Sequence, residues 1–150
     1  MSGYFGEVFH NSVLLVSIAA WFVAQLIKLL IELARTRKVE LSLFLSTGGM
    51  PSSHTSFVVA MGATLGLKYG FDSPYFAISA VLSMIVMTDA AGVRRAAGKQ
   101  AAVINMLVES LEHQGIKLDK KLKELLGHSP VEVAAGAILG VLIAVLSHRG

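Results

Sequence analysis

The 150-residue chain has no cysteine, so disulfides, thiolate nucleophiles and cysteine-ligated metals are excluded. The same absence leaves the redox compartment unreadable. Charge is scarce: 15% of residues are charged, against 54% that are hydrophobic. The mean hydropathy is +0.66, outside the usual soluble range, so the bilayer is read as the chain's solvent. No aromatic platform stands beside the basic residues, which lie between apolar runs, so nucleic acid is not an expected partner. There is no internal repeat and no low-complexity tract. No basic n-region precedes the first apolar stretch, so no cleaved signal peptide is expected. The length suits one domain over 1–150.

What the chain does have is four apolar segments. The first, about Val13 to Ala34, is long enough to cross the ~30 Å hydrocarbon core as a helix. The second, about Thr55 to Tyr69, is short. It must thin the bilayer, snorkel through Lys68, or bury its ends in protein. The third runs from about Pro74 to Thr88 and continues to Ala91, with Asp72 or Ser73 as cap and Pro74 at the first helical position. The fourth is about Pro130 to Leu146, opened by Ser129. Glycine and alanine are frequent in the second and fourth, which suits close packing in lipid. Between the third and fourth lies a polar region, Gly92 to His128. Within it Val103, Ile104, Leu107, Val108 and Leu111 recur at helical spacing, and Leu118, Leu122, Leu125 and Leu126 mark a second short amphipathic helix. These helices are expected on the membrane surface or over the bundle. The fold class is therefore an all-α integral membrane bundle of about four transmembrane helices plus one or two amphipathic ones.

Cations set the orientation. Of 13 Lys and Arg, three (Arg35, Arg37, Lys38) lie between segments one and two. Seven (Arg94, Arg95, Lys99, Lys117, Lys120, Lys121, Lys123) lie between segments three and four. With four spans these loops share one side, and the positive-inside bias makes it cytoplasmic. The net charge of +3 and pI near 9.3 fit contact with anionic headgroups, so membrane lipids are expected partners.

Four polar clusters stand out against this background. Gln25, Lys28, Glu32 and Arg35 are spaced 3, 4 and 3, on one helical face. An ionised group within a span costs about 2.5–3.5 kcal/mol on insertion scales, so these are expected to face the protein interior. The bland reading is a Lys28–Glu32 pair neutralised within the helix, with Arg35 at the interface. The stretch "GGMPSSHT", Gly48 to Thr55, puts His54 in the first turn of the second helix, capped by Ser52 or Ser53. Free N–H groups at such a turn, with Gly48 and Gly49 allowing close approach, can bind an anion. The alternative is a plain turn and cap. In "GHSPVEV", Ser129 and Glu132 form a capping-box pattern, which by itself explains Glu132. His128 lies outside that cap, four residues from Glu132, at the spacing of a histidine–carboxylate couple. In "DAAGVRRAAGK", Asp89 precedes Arg94, Arg95 and Lys99, which serve either as a positive belt or as an oxyanion clamp. All four clusters stand at the same end of their spans and together suggest a phosphate site.

These motifs resemble the divergent branch of the type-2 phosphatidic acid phosphatase superfamily, related to bacterial acid phosphatases and vanadium haloperoxidases. The superfamily signature begins with Lys, six residues, then Arg-Pro. Lys28 and Arg35 have that spacing, with Thr36 in place of Pro. Its second part is Pro-Ser-Gly-His, matched by Pro51, Ser52 and His54, with Ser53 for Gly. Its third is Ser-Arg, five residues, His, three residues, Asp. His128 and Glu132 match the second half, with Glu for Asp, while Leu122 stands where the Arg should be. An insertion from about Lys99 to Leu126 would let Arg94 or Arg95 still meet His128 in space.

The resemblance implies a metal-independent phosphatase with no cofactor. His128 would be the nucleophile, His54 the acid, and Glu132 the group that orients His128. Lys28, Arg35, Gly49, Ser52, Ser53, Arg94 and Arg95 would bind phosphate, with Gln25, Glu32, Asp89 and Lys99 in support. The substrate would be a lipid phosphate or an isoprenyl pyrophosphate, and the location a bacterial cytoplasmic (inner) membrane with the site on its cytoplasmic side. A homo-oligomer stays open. Two other readings compete: a non-catalytic protein of this fold that binds or carries phosphorylated lipids, and a small transporter. Phosphate release that depends on His128 separates the first from both.

Overall fold

The computed structural model describes residues 2–37, 49–112 and 128–149, with side chains for 6–37, 49–92, 96–110 and 128–149. Among the described residues the six elements are all helices: α1 (Ser2–His10), α2 (Ser12–Thr36), α3 (Ser53–Tyr69), α4 (Pro74–Ala91), α5 (Val93–Glu112) and α6 (Pro130–Arg149). Local chemistry sets their ends. Asn11 caps α2, its side-chain oxygen accepting from the Leu14 N–H at 3.2 Å. Arg37 closes that helix in the left-handed region, its N–H bonded to the Leu33 carbonyl at 2.9 Å. Ser52 caps α3, and Gly70 at φ 93° ends it. Ser73 caps α4 with Pro74 in the first turn, which settles the choice between Asp72 and Ser73. The four apolar segments thus become helices within a few residues of their sequence bounds. The helix α1 has no counterpart in the sequence reading.

The short helix α3 is the centre of the bundle, packed against α2, α4 and α6. Helix α6 also touches α2 and α4, whereas α2 and α4 do not meet among the described residues. Helices α2 and α6, and a stretch within Pro74–Ser110 that includes α4, are long and apolar enough to cross a membrane. With 17 residues, α3 is about 25 Å long, short of the ~30 Å core. Enclosure by its neighbours is how this segment is accommodated.

Small residues make the enclosure close. Gly136, Gly140 and Ala144 are buried at four-residue intervals on α6. A Cβ at Gly136 would lie 2.5 Å from the Ser52 carbonyl oxygen, and one at Gly140 would lie 2.7 Å from that of Ser56. The Ser56 hydroxyl donates across this interface to the Gly136 carbonyl at 3.0 Å. On the opposite flank the buried Ser83 hydroxyl reaches the Val58 carbonyl at 3.0 Å. Ala20 and Ala24 fill the α2 contact with no exposure. Large apolar side chains such as Ile78, Ile85, Ile138 and Leu142 point outward instead. Between lipid-facing helices there is no hydrophobic gain from association, so close packing and hydrogen bonds hold the bundle.

Helix α5 buries Gly98, Ala101 and Asn105 and exposes Val103, Ile104, Met106 and Leu107, so its large apolar residues face out of the bundle. The second amphipathic helix expected around Leu118 to Leu126 lies outside the described residues.

Candidate active site

Backbone hydrogen bonds draw three of the four polar clusters together. The Ser52 N–H, at the cap of α3, donates to the Glu132 carbonyl in the first turn of α6 at 2.9 Å. The His128 N–H donates to the Ala90 carbonyl at the end of α4 at 3.0 Å. The excursion between Ala90 and His128, which includes α5, therefore starts and finishes at one hydrogen bond. This is the arrangement an insertion would need. The first turn of α5, with Arg94 and Arg95, follows directly, and the side chains of those arginines lie outside the described residues.

The carboxylate of Glu132 carries both roles that its spacing allows. Its Oε2 accepts from the Ser129 N–H at 2.9 Å, while the Glu132 N–H reaches the Ser129 hydroxyl at 3.3 Å, which completes a capping box. The same Oε2 lies 3.1 Å from His128 Nδ1. Cap and histidine partner are one group. His128 is 1% exposed. His54, half-buried in the first turn of α3, has its ring centre 6.4 Å from that of His128, with the planes tilted by 59°.

Lys28 brings in the fourth cluster. It is buried, and its Nζ donates to the Ser53 hydroxyl at 3.2 Å. Gly49 passes over the aliphatic stem of Lys28, where an added Cβ would make only ordinary contact at 3.9 Å. Its φ of 88°, not lack of space, is what favours glycine there.

The remaining candidates are more peripheral. Gln25 is buried one turn before Lys28, Glu32 is half-buried, and Arg35 is exposed. The stripe expected to face inward thus runs from buried to open. Arg35 lies about two turns beyond Lys28, in the last turn of α2. Asp89 is half-buried at the end of α4, and Lys99 is exposed on α5.

A cavity of about 320 Å³ opens beside His54, lined also by Trp21, Phe57, Val58 and Val86. Sequence reasoning missed it, although a signal was present. Trp21, the sole tryptophan, lies four residues before Gln25 and extends the polar stripe of α2.

Residues 9–143 match the Divergent PAP2 family. The uncharacterized membrane protein YuiD of Bacillus subtilis (strain 168) is 44% identical over 151 residues, which cover 93% of this chain and 96% of that protein. No solved structure matches. With three apolar spans around a short central helix, and with a family match over most of its length, the chain is an integral membrane protein and belongs to the divergent PAP2 family.

Proposed function

We propose that the protein is a metal-independent phosphatase of membrane lipids, acting on a lipid phosphate or an isoprenyl pyrophosphate through a phosphohistidine. The observation that carries this reading is the histidine pair: His128 held at Nδ1 by Glu132, and His54 with its ring 6.4 Å away. A nucleophile works at about 3–3.5 Å from phosphorus, and an acid must reach the leaving oxygen within about 2.6–3.2 Å, so two rings roughly 6–8 Å apart suit one bridging phosphoryl group.

In this reading the carboxylate keeps the proton of His128 on Nδ1 and leaves the lone pair on Nε2. Nε2 attacks phosphorus as the bond to the leaving oxygen breaks, and His54 gives that oxygen a proton. Water then attacks the phosphohistidine, loses a proton to His54, and releases phosphate. Lys28, with Arg35 at the end of α2 and Arg94 or Arg95 in the first turn of α5, neutralises charge on the phosphoryl oxygens, the principal demand of this chemistry. The positive-inside bias of the cation-rich loops supports a site on the cytoplasmic side.

One observation favours a second reading, a binder of phosphorylated lipids without turnover. Lys28 is tied to Ser53, where the superfamily signature has glycine. Purified protein assayed for phosphate release from a panel of lipid phosphates and pyrophosphates decides between them. Release by the wild type and none by His128→Ala supports the phosphatase. Retained lipid-phosphate binding with no release from any substrate supports the binder.

A further inference from the structure

The cavity beside His54 is one end of a longer feature. Because α2 and α4 do not meet among the described residues, no described helix bridges them over the face of α3 that lies between. A second cavity, of about 500 Å³, lies further along α3, and Phe57 lines both. Its floor is a single stripe of α3: Phe57, Met61 and Leu65, at four-residue steps. Leu14 and Ser17 of α2 form one wall. The Tyr69–Tyr75 ring pair, with centres 5.3 Å apart, closes the far end. Taken together as one groove, the two cavities run along α3 from His54 to the tyrosine pair at its other end.

The length of this groove limits its occupant. His54 and Tyr69 are 15 residues apart (69 − 54) on one helix, about 22 Å at 1.5 Å per residue. One leaflet of a ~30 Å core is only about 15 Å deep. A chain confined to its own leaflet would leave the far third of the groove empty. A floor one stripe wide takes one chain rather than two. The polar end carries His54, with Lys28 close by, and so suits an anionic head.

We propose that the gap between α2 and α4 holds the tail of the substrate, a single apolar chain longer than one leaflet and of polyprenyl type, with its phosphate at His54. The identity of the head rests on the phosphatase reading, whereas the fit of the tail does not. The chain is measured by the groove, so recognition improves with length until the space below Tyr69 and Tyr75 is filled. Diacyl lipids bring a second chain that the floor does not accommodate.

Trp21 lines the groove and is the sole tryptophan, so its fluorescence reports occupancy without turnover. The test titrates detergent-solubilised full-length protein with polyprenyl monophosphates of increasing length and with dioleoyl phosphatidic acid, and measures phosphate release in parallel. Long polyprenyl phosphates should bind at least roughly tenfold more tightly than a three-isoprene one, the scale on which apolar pockets discriminate size. Ser17→Phe and Leu65→Phe, from the wall and the floor of the far half, should remove that advantage and leave the short chain's binding unchanged. The short-chain arm is also the check that each variant is folded. Equal binding at all lengths, or a diacyl lipid bound as well as the long single chain, overturns the groove assignment. Length-dependent binding with no phosphate release from any substrate keeps the groove and overturns the phosphatase.

Discussion

Gly136→Ala tests how the helix interface serves the histidine pair. The added Cβ would lie 2.5 Å from the Ser52 carbonyl oxygen, 3.0 Å from Thr55 Cβ and 3.2 Å from Ser52 Cβ. The nearest neighbour is backbone and cannot rotate away. Restoring ordinary contact at 3.4 Å needs about 0.9 Å of separation (3.4 − 2.5) between α3 and α6. Overpacking of this kind costs about 1–3 kcal/mol, and alanine's helix preference over glycine returns up to about 1 kcal/mol. The net loss of stability is therefore small, about 0–2 kcal/mol. If the protein is the phosphatase proposed above, the catalytic cost is larger, because His54 is carried by α3 and Glu132 by α6, each within one turn of the clash. A misplacement near 1 Å can lower a rate about 100-fold. Gly140→Ala meets a similar obstacle, 2.7 Å from the Ser56 carbonyl oxygen, but one turn further from the site. Gly6→Ala meets nothing within 4 Å and is the control. Thermal unfolding in detergent and phosphate-release kinetics should show Gly136→Ala losing far more activity than Gly140→Ala at similar stability. Equal activity losses for the two would refute the idea that this contact sets the site.

Three further outcomes are expected. His54→Ala should lose roughly 10²–10⁴-fold in turnover of a lipid phosphate but much less with an aryl phosphate, whose leaving group needs little protonation; equal losses would contradict the acid role, as would a phosphohistidine mapped to position 54. Glu132→Gln exchanges a charged hydrogen bond for a neutral one, a difference of about 1–2 kcal/mol or roughly 5–30-fold in rate, so steady-state kinetics should place it well above His128→Ala, which should form no phosphoenzyme at all. Cysteines introduced at Asp72 and Lys99 in an otherwise cysteine-free chain should label from opposite faces of intact cells, Asp72 from outside, and labelling of both from one face would remove the topology.

What could be seen in the sequence was what depends on near neighbours. The caps at Ser73 and Ser129 follow from side chains that bond backbone three residues on, and the His128–Glu132 couple follows from a spacing of four. The choice between Ser52 and Ser53 was open, because either hydroxyl could cap. The structure gives the cap to Ser52 and leaves Ser53 to hold Lys28. The exposure of Arg35, on the same helical stripe as buried Lys28, is set by tertiary packing, which no periodicity encodes. The bonds from Ser52 to Glu132 and from His128 to Ala90 join backbone atoms that every residue type carries, so nothing in the side-chain pattern announces them. The separation of α2 from α4 was hidden for a similar reason, since it is a property of the assembled helices.

Helix α3 has a consequence for how the protein is made. Its buried residues are mainly serine, threonine, glycine and alanine, and it is shorter than the membrane is thick. Such a segment gains little from lipid and much from the helices that cover its hydroxyls. Its place in the membrane is therefore a property of the assembled bundle rather than of the segment alone. Membrane entry of α2, α4 and α6 can rest on their own hydropathy, but α3 is secured only when they close around it. His54 and Lys28 are brought together at that same moment, so a chain arrested before assembly would be inserted yet carry no site. Biogenesis and the assembly of the candidate site then become a single event, and a trapped nascent chain should be recognisable by an α3 that still slips out of the bilayer.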